Sequence, residues 1–164
     1  MRHSTKEELL KILSEVHDPE IPVLNVVEMG IVRNVEFSRG AVNVDITPTY
    51  SGCPAMKVIE DDIVAALNLS GFTNIFVNTV YSPAWTTEWL SDSTKQKLKK
   101  YGIAPPGKST GDVIVLLPTI KETVACPFCD SKETELRSDF GSTACKSFHY
   151  CNNCKQPFEH LKEI

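Results

Sequence analysis

Ala41-Val-Asn-Val-Asp-Ile-Thr47-Pro-Thr-Tyr-Ser-Gly-Cys53-Pro-Ala-Met56 is the stretch that decides the fold. Its first half alternates apolar and polar residues, the period of a half-buried strand. Pro48 ends that pattern. After Pro54, which suits the first position of a helix, Met56, Ile59, Ile63, Ala66 and Leu67 recur at helical spacing, and Gly71 closes the run. Strand, loop and helix follow one another within thirty residues, so the chain reads as a mixed α and β protein.

Working outward, Ile31–Phe37 alternates like Ala41–Thr47, and Ser38-Arg39-Gly40 between them has turn chemistry, which predicts a β-hairpin. Upstream, Leu9, Ile12, Leu13 and Val16 predict a helix over residues 5–16, with Ser4 and Glu7 as its capping box. His17-Asp18-Pro19-Glu20-Ile21-Pro22 ends it, because each proline pushes its predecessor toward extended geometry. Downstream, Asn74–Tyr81 reads as a third strand, broken by Ser82-Pro83-Ala84-Trp85. A charged helix follows over residues 91–101, stopped by Gly102, with Lys95, Lys97, Lys99 and Lys100 on its solvated side.

The expected fold class is therefore α/β in the α+β sense. It comprises a helix–hairpin–helix–strand–helix domain over residues 1–103, a linker with a short strand (Val113–Leu117) over 104–121, and a small metal-binding module over 122–164. Ala-Pro-Pro-Gly-Lys-Ser-Thr-Gly at 104–111 is the linker-like stretch.

The module is announced by Cys126-Pro-Phe-Cys129 and Cys151-Asn-Asn-Cys154, two Cys-x-x-Cys knuckles with twenty-one residues between them. Each pair can grip one ion from a tight turn, and the hairpin between them brings the pairs together. Four thiolates suit Zn²⁺, a single iron or a [2Fe–2S] cluster, and the closed tetrahedral pattern favours structural Zn²⁺. A piece this small has little core, so metal binding would supply much of its folding free energy. Cys145, six residues from the second knuckle, reads as buried filler, spare ligand or redox thiol. His149 and His160 are not needed in a shell that four cysteines complete.

Bulk composition narrows the function. The 164 residues are 41% hydrophobic and 23% charged, the balance of a soluble globular protein. No apolar run approaches membrane-spanning length, and the polar start carries no export signal core, so a reducing cytoplasm is expected. In that compartment free cysteines bind metal or do chemistry. Net charge is −4, and the segment from Glu122 holds seven acidic against five basic residues. That speaks against nucleic-acid binding through the ribbon, which needs a basic face.

Cys53 differs in kind from the ribbon cysteines. At the start of a helix, unpaired amides and the dipole favour the thiolate and lower the pKa. Such a sulfur is available as a nucleophile or as a transient soft-metal ligand, with Thr47, Thr49, Tyr50 and Ser51 as neighbouring hydroxyls. The plainer reading is a small residue at a tight turn. Asp18 and Glu20 flank Pro19 in a rigid turn, where Asp18 would accept hydrogen bonds from turn amides.

Together, Asp18-Pro19-Glu20-Ile21-Pro22-Val23-Leu24, Met29-Gly30-Ile31-Val32 and Thr49-Tyr50-Ser51-Gly52-Cys53-Pro54 resemble the iron–sulfur assembly domain of the SufT family. Residues 83–89 (Pro-Ala-Trp-Thr-Thr-Glu-Trp), 101–106 (Tyr-Gly-Ile-Ala-Pro-Pro) and 140–146 (Phe-Gly-Ser-Thr-Ala-Cys-Lys) extend the resemblance to the PaaD family. Members of that family are accessory proteins encoded with phenylacetyl-CoA epoxidase. The resemblance spans nearly the whole chain. It implies a non-catalytic maturation factor, with Cys53, Asp18 and Glu20 as the functional set and Cys145 as a lesser candidate. The implied client is the epoxidase's reductase component, whose [2Fe–2S] cluster it would install during phenylacetate breakdown. Other epoxidase components and iron–sulfur scaffold proteins are further implied partners. One thiol per chain cannot complete a cluster's four-ligand shell, so a transient Fe–S cluster at Cys53 calls for a homodimer, a small thiol or the client. Two rivals are a thioester-directed cysteine enzyme and a scaffold for the oxygenase complex acting through the ribbon, for which Trp85 and Trp89 at helical spacing offer an exposed anchor, although the core is the expected place for at least one of them.

Overall fold

The computed structural model describes residues 4–107 and 123–164. The expected strand Val113–Leu117 and most of the expected linker lie outside the described residues. The chain forms two compact units, divided between Thr94 and Lys95.

The first unit opens with helix α1 (Lys6–Leu13). Its capping box lies one residue later than the sequence predicts. Thr5 Oγ1 accepts from the Glu8 amide, and Glu8 Oε2 accepts from the Thr5 amide. Consecutive hydroxyl residues and consecutive glutamates make both frames chemically sound, and Leu9 and Leu13 turn inward from the helix. The helix also ends earlier than expected, with Ser14 as its C-cap.

Strands β1 (Val32–Ser38) and β2 (Ala41–Ile46) form the hairpin, with Val35 opposite Val44 and Phe37 opposite Val42. Arg39 and Gly40 both carry positive φ (52° and 81°), the mirror-type turn whose twist matches the flanking strands. Helix α2 (Ala55–Leu69) then crosses over, and β3 (Ile75–Thr79) pairs parallel to β2, giving the order β1-β2-β3. The helix closes as a Schellman motif. Gly71 has φ +90°, its amide bonds to Asn68 O, and the Phe72 amide bonds to Leu67 O. Ile59, Ile63 and Leu67 are fully buried, as are Val35, Val42 and Val44 of the strands. Phe72 meets Phe37 with ring centroids 5.9 Å apart.

Of the two tryptophans, Trp85 packs inward, as the core reading of at least one of them expects. Trp85 is buried and its Nε1 donates to Met29 O at 2.7 Å. Trp89 closes a 3₁₀ turn (Thr87–Trp89) and carries the Arg33 guanidinium 3.8 Å from its ring centre. Gly30, at φ +71°, lies beneath both rings.

Helix α3 (Asp92–Tyr101) starts at the end of the first unit, and the rest of it clusters with the second. Its continuation β4 (Ile103–Ala104) pairs parallel with β7 (Pro157–Leu161), beside β6 (Lys146–Cys151) and β5 (Thr134–Ser138). The sequence pattern assigns residues 95–103 to the first domain. They cluster with the second unit, where Ile103 pairs with Glu159 and Ala104 with His160. No helix among the described residues is long and apolar enough to cross a membrane.

Trp85→Phe keeps an aromatic ring but strands the Met29 carbonyl. It should lower the unfolding free energy by about 1–3 kcal/mol, read as an earlier denaturant midpoint with unchanged secondary structure.

Candidate functional site

The Asp-Pro-Glu turn is built around one carboxylate. Asp18, 5% exposed, accepts from the Glu20 amide at 2.7 Å and the Ile21 amide at 2.9 Å through the same oxygen. The Asp18 amide bonds to Leu24 O, and His17 Nδ1 donates to Pro22 O, so the loop closes on itself. This is the turn-shaping role that sequence chemistry anticipates for an Asx residue. Glu20 emerges from it half-buried.

Cys53 is delivered by a second turn. The Cys53 amide bonds to Tyr50 O, and Gly52, at φ +82°, supplies the left-handed residue such a turn requires. Pro54 is the N-cap of α2. The sulfur is half-buried and accepts from the Ala55 amide and from the Thr49 hydroxyl. Thr49 itself is buried.

Asp18 and Glu20 lie near enough to act on Cys53 electrostatically. Its thiol is raised above the ordinary cysteine value. Burial is the largest cause, and the charges of Glu20 and Asp18 add to it. The Ala55 amide and Thr49 hydroxyl oppose them and lose. This corrects the expectation of a thiolate favoured by the helix start. The amide effect is present, but desolvation and two carboxylates from a distant turn outweigh it. The resting group is a protonated thiol.

The second unit brings Cys126, Cys129, Cys151 and Cys154 together, all four sulfurs within 4.8 Å of one another. Cys126 lies 3.6 Å from Cys154, and Cys129 lies 3.6 Å from Cys151. A metal–sulfur bond of about 2.3 Å gives a tetrahedron with edges of about 3.8 Å, so the donor set fits a single tetrahedral ion. The knuckles share one design. The amides of Asp130 and Lys155 bond back to the carbonyls of Cys126 and Cys151, and both residues take positive φ (58° and 61°). Burial pushes the Cys126 thiol up. The Ser131 amide overcomes burial at Cys129 and, with Asn153, brings it down to about 6. Asn153, whose Nδ2 reaches the Cys129 sulfur at 3.6 Å, is a contributor that the spacing alone does not reveal.

Cys145 is buried and lies outside this sulfur group. Its sulfur is 3.1 Å from the Thr143 hydroxyl, and its carbonyl accepts from the Lys162 amide. The loop around it is held by Glu159, which accepts from the Ser142 amide and pairs with buried Lys146 at 2.9 Å. A Cβ at Gly141 would come within 2.6 Å of Glu159 Oε1, so a larger residue there would displace that carboxylate. His149 and His160 serve a separate chain of contacts. His149 Nε2 is 2.9 Å from the Ser147 hydroxyl, and that hydroxyl is 3.4 Å from His160 Nδ1. His160 Nε2 faces Glu163 at 3.4 Å. Burial and His160 together hold His149 down to about 4, a neutral ring at physiological pH.

Two family models match the chain. One, described as an iron–sulfur cluster assembly protein, covers residues 6–77, and the other, a PaaD zinc beta ribbon domain, covers 112–162. An Escherichia coli protein whose name designates one component of a "Putative 1,2-phenylacetyl-CoA epoxidase" is 41% identical over 158 residues, 96% of this chain and 92% of that one. A Porphyromonas gingivalis protein named "Fe-S protein maturation auxiliary factor" is 32% identical over 96 residues, 57% of this chain and 90% of its own. Among solved structures, a domain of unknown function (DUF59) from Bacillus anthracis is 30% identical, with a TM-score of 0.53 over 57% of this chain and 90% of that one. Fold and site thus define an iron–sulfur assembly domain followed by a four-cysteine ribbon. The chain belongs to the PaaD family.

Glu20→Gln removes a negative charge that disfavours the thiolate, so it should lower the Cys53 pKa and speed iodoacetamide alkylation of Cys53 near neutral pH. An unchanged rate would separate Glu20 from the sulfur. Stripping metal with a strong chelator, or replacing Cys151 with serine, should unfold the ribbon. The observable is loss of amide exchange protection in β5–β7, with α2 still protected.

Proposed function

We propose that this protein is a cytoplasmic maturation factor that uses Cys53 to pass iron–sulfur cargo to the reductase component of phenylacetyl-CoA epoxidase. The cargo is the [2Fe–2S] cluster of that reductase. Cys126, Cys129, Cys151 and Cys154 hold Zn²⁺ as a structural ion. Support for the client comes from the epoxidase name of the Escherichia coli relative and the maturation-factor names of shorter ones.

The observation that carries the reading is a solitary half-buried thiol kept protonated beside two carboxylates. A soft metal must displace the thiol's proton, so binding strengthens as pH rises toward the raised pKa and weakens below it. A carrier benefits from that penalty, because it must release what it holds. The partners of the sulfur are an amide and a hydroxyl, which steady it without taking its proton. That arrangement suits a ligand better than a catalytic nucleophile, which needs a base in contact. The remaining ligands of a bound cluster come from a second copy, a small thiol or the client. Asp18 keeps the turn in shape, and Glu20 presents its charge toward the sulfur.

Cys53→Ser should fold with an unchanged ribbon metal content yet leave the co-expressed reductase short of iron and sulfide. Normal cluster content in reductase made with that variant would end this reading. Equal cluster content with and without the whole protein would favour a purely scaffolding role.

A further inference from the structure

A sheet edge left unpaired offers its backbone to any passing strand, and proteins blunt such edges with charges, bulges, proline or brevity. β1 carries Arg33 and Glu36 and a register shift between Val32 and Asn34. β5 carries Glu135 and Arg137 and a shift between Leu136 and Ser138. β4 is only two residues long.

β3 has none of these devices. Among the described residues no strand pairs with its outer side. From Phe72 to Tyr81 the chain holds no charge and no proline, and β-branched or aromatic residues predominate. Ile75 and Val77 continue the core-facing row of fully buried Val42 and Val44, yet are themselves only half-buried. Phe76, on the opposite face, is 58% exposed.

The phase of the hydrogen bonds decides what this edge offers. The Val42 amide bonds to Asn74 O and the Val80 amide to Ile46 O. Parallel pairing in that phase also commits the backbone groups of Phe76 and Asn78 to β2, and it turns those of Ile75, Val77 and Thr79 outward.

We infer that the outer edge of β3 is a self-association surface, on which two copies of this chain pair their β3 strands antiparallel about a two-fold axis at Val77. In that register Val77 faces its own counterpart and Ile75 faces Thr79. All of these carry outward groups, so each opposed pair is a hydrogen-bonded one. Phe76 falls opposite Asn78 and covers it. The uncharged edge spares two chains of net charge −4 a like-charge clash at the contact, and it holds no charge that would select a partner of opposite sign. Each copy has one such edge, so the pairing closes at two.

The two β2 strands of the joined sheet lie three strand spacings apart, about 14 Å, and run in opposite directions. The loops that carry Cys53 therefore leave from opposite ends. For a carrier of iron–sulfur cargo, the reading on which this point rests, the two thiols serve separate clusters, and a small thiol or the client completes each shell. The interface itself does not depend on Cys53.

Sedimentation equilibrium of the full chain across micromolar concentrations should fit a monomer–dimer scheme. Amide exchange read residue by residue by NMR should show Ile75, Val77 and Thr79 gaining protection with concentration, while Val80 is protected throughout. Thr79→Pro deletes an outward amide without touching the bonds to β2, and Phe76→Lys puts a charge on the exposed face of the edge. Each should weaken association at least about tenfold. Protection of the Val80 amide reports that a variant has kept its fold, and Phe76→Lys carries the test should Thr79→Pro lose it. A chain that stays monomeric overturns the proposal, as does a dimer unmoved by a folded variant. Protection of Ile75, Val77 and Thr79 in the monomer also overturns it, because another part of the same chain then covers the edge. Cys53→Ser should associate as the unaltered chain does, so a failed cluster transfer and a failed dimer register separately.

Discussion

Parallel pairing of β2 with β3 is the constraint from which the first unit follows. Parallel neighbours need a crossover, and α2 supplies it across the sheet's apolar face. The chain must therefore leave β2 at its carboxyl end and turn at once into the helix. That junction is where open sheets with helical crossovers tend to expose functional loops. Thr47 through Pro54 occupy it here, so the position of Cys53 is a result of topology before it is one of chemistry. The inward row Val42, Val44 and Ile46 fixes the register, since a slip of one residue would turn that row to solvent.

The electrostatics at this junction show two neighbouring effects of opposite sign. A helix start stabilises an anion, and the Ala55 amide does so for Cys53. The Asp18–Glu20 turn comes from more than thirty residues earlier in the chain and, with burial, reverses the balance. In the ribbon the same element is handled differently. There, burial pushes the Cys126 thiol up, while the Ser131 amide and Asn153 bring Cys129 down. The Cys53 thiol is raised and the Cys129 thiol lowered, each by the balance of burial against its own donors.

Much of this is legible along the chain, for local reasons. Alternation in Val35–Phe37 and Val42–Ile46, the Arg39-Gly40 turn and the Ile59–Ile63–Leu67 stripe each carry their own period. The two Cys-x-x-Cys knuckles announce their partnership by spacing. What escapes is non-local or degenerate. The capping frame at Ser4 or Thr5 is a choice between chemical equals that the local pattern does not decide, and the structure takes Thr5. The register shift between Val32 and Asn34 answers to the partner strand. Ile103 and Ala104 lie past the Gly102 helix stop with no strand pattern of their own, and only β7, more than fifty residues on, makes them a strand. The sign of the Cys53 shift needs burial and the far turn, neither of which spacing encodes.

The Lys146–Glu159 pair behaves unlike the charge pairs on the surface. Lys57 and Asp61 on α2 sit 70% and 63% exposed, where dissolved ions screen them and their mutual pull is slight. Lys146 is 4% exposed and its partner 23%. Burial alone would raise the Glu159 carboxyl, yet the Ser142 amide and Lys146 hold it below its ordinary value. Counter-ions have little entry to such a contact. The loop it clasps should therefore keep its shape in brine as well as in dilute buffer, while the decorations on α2 fade.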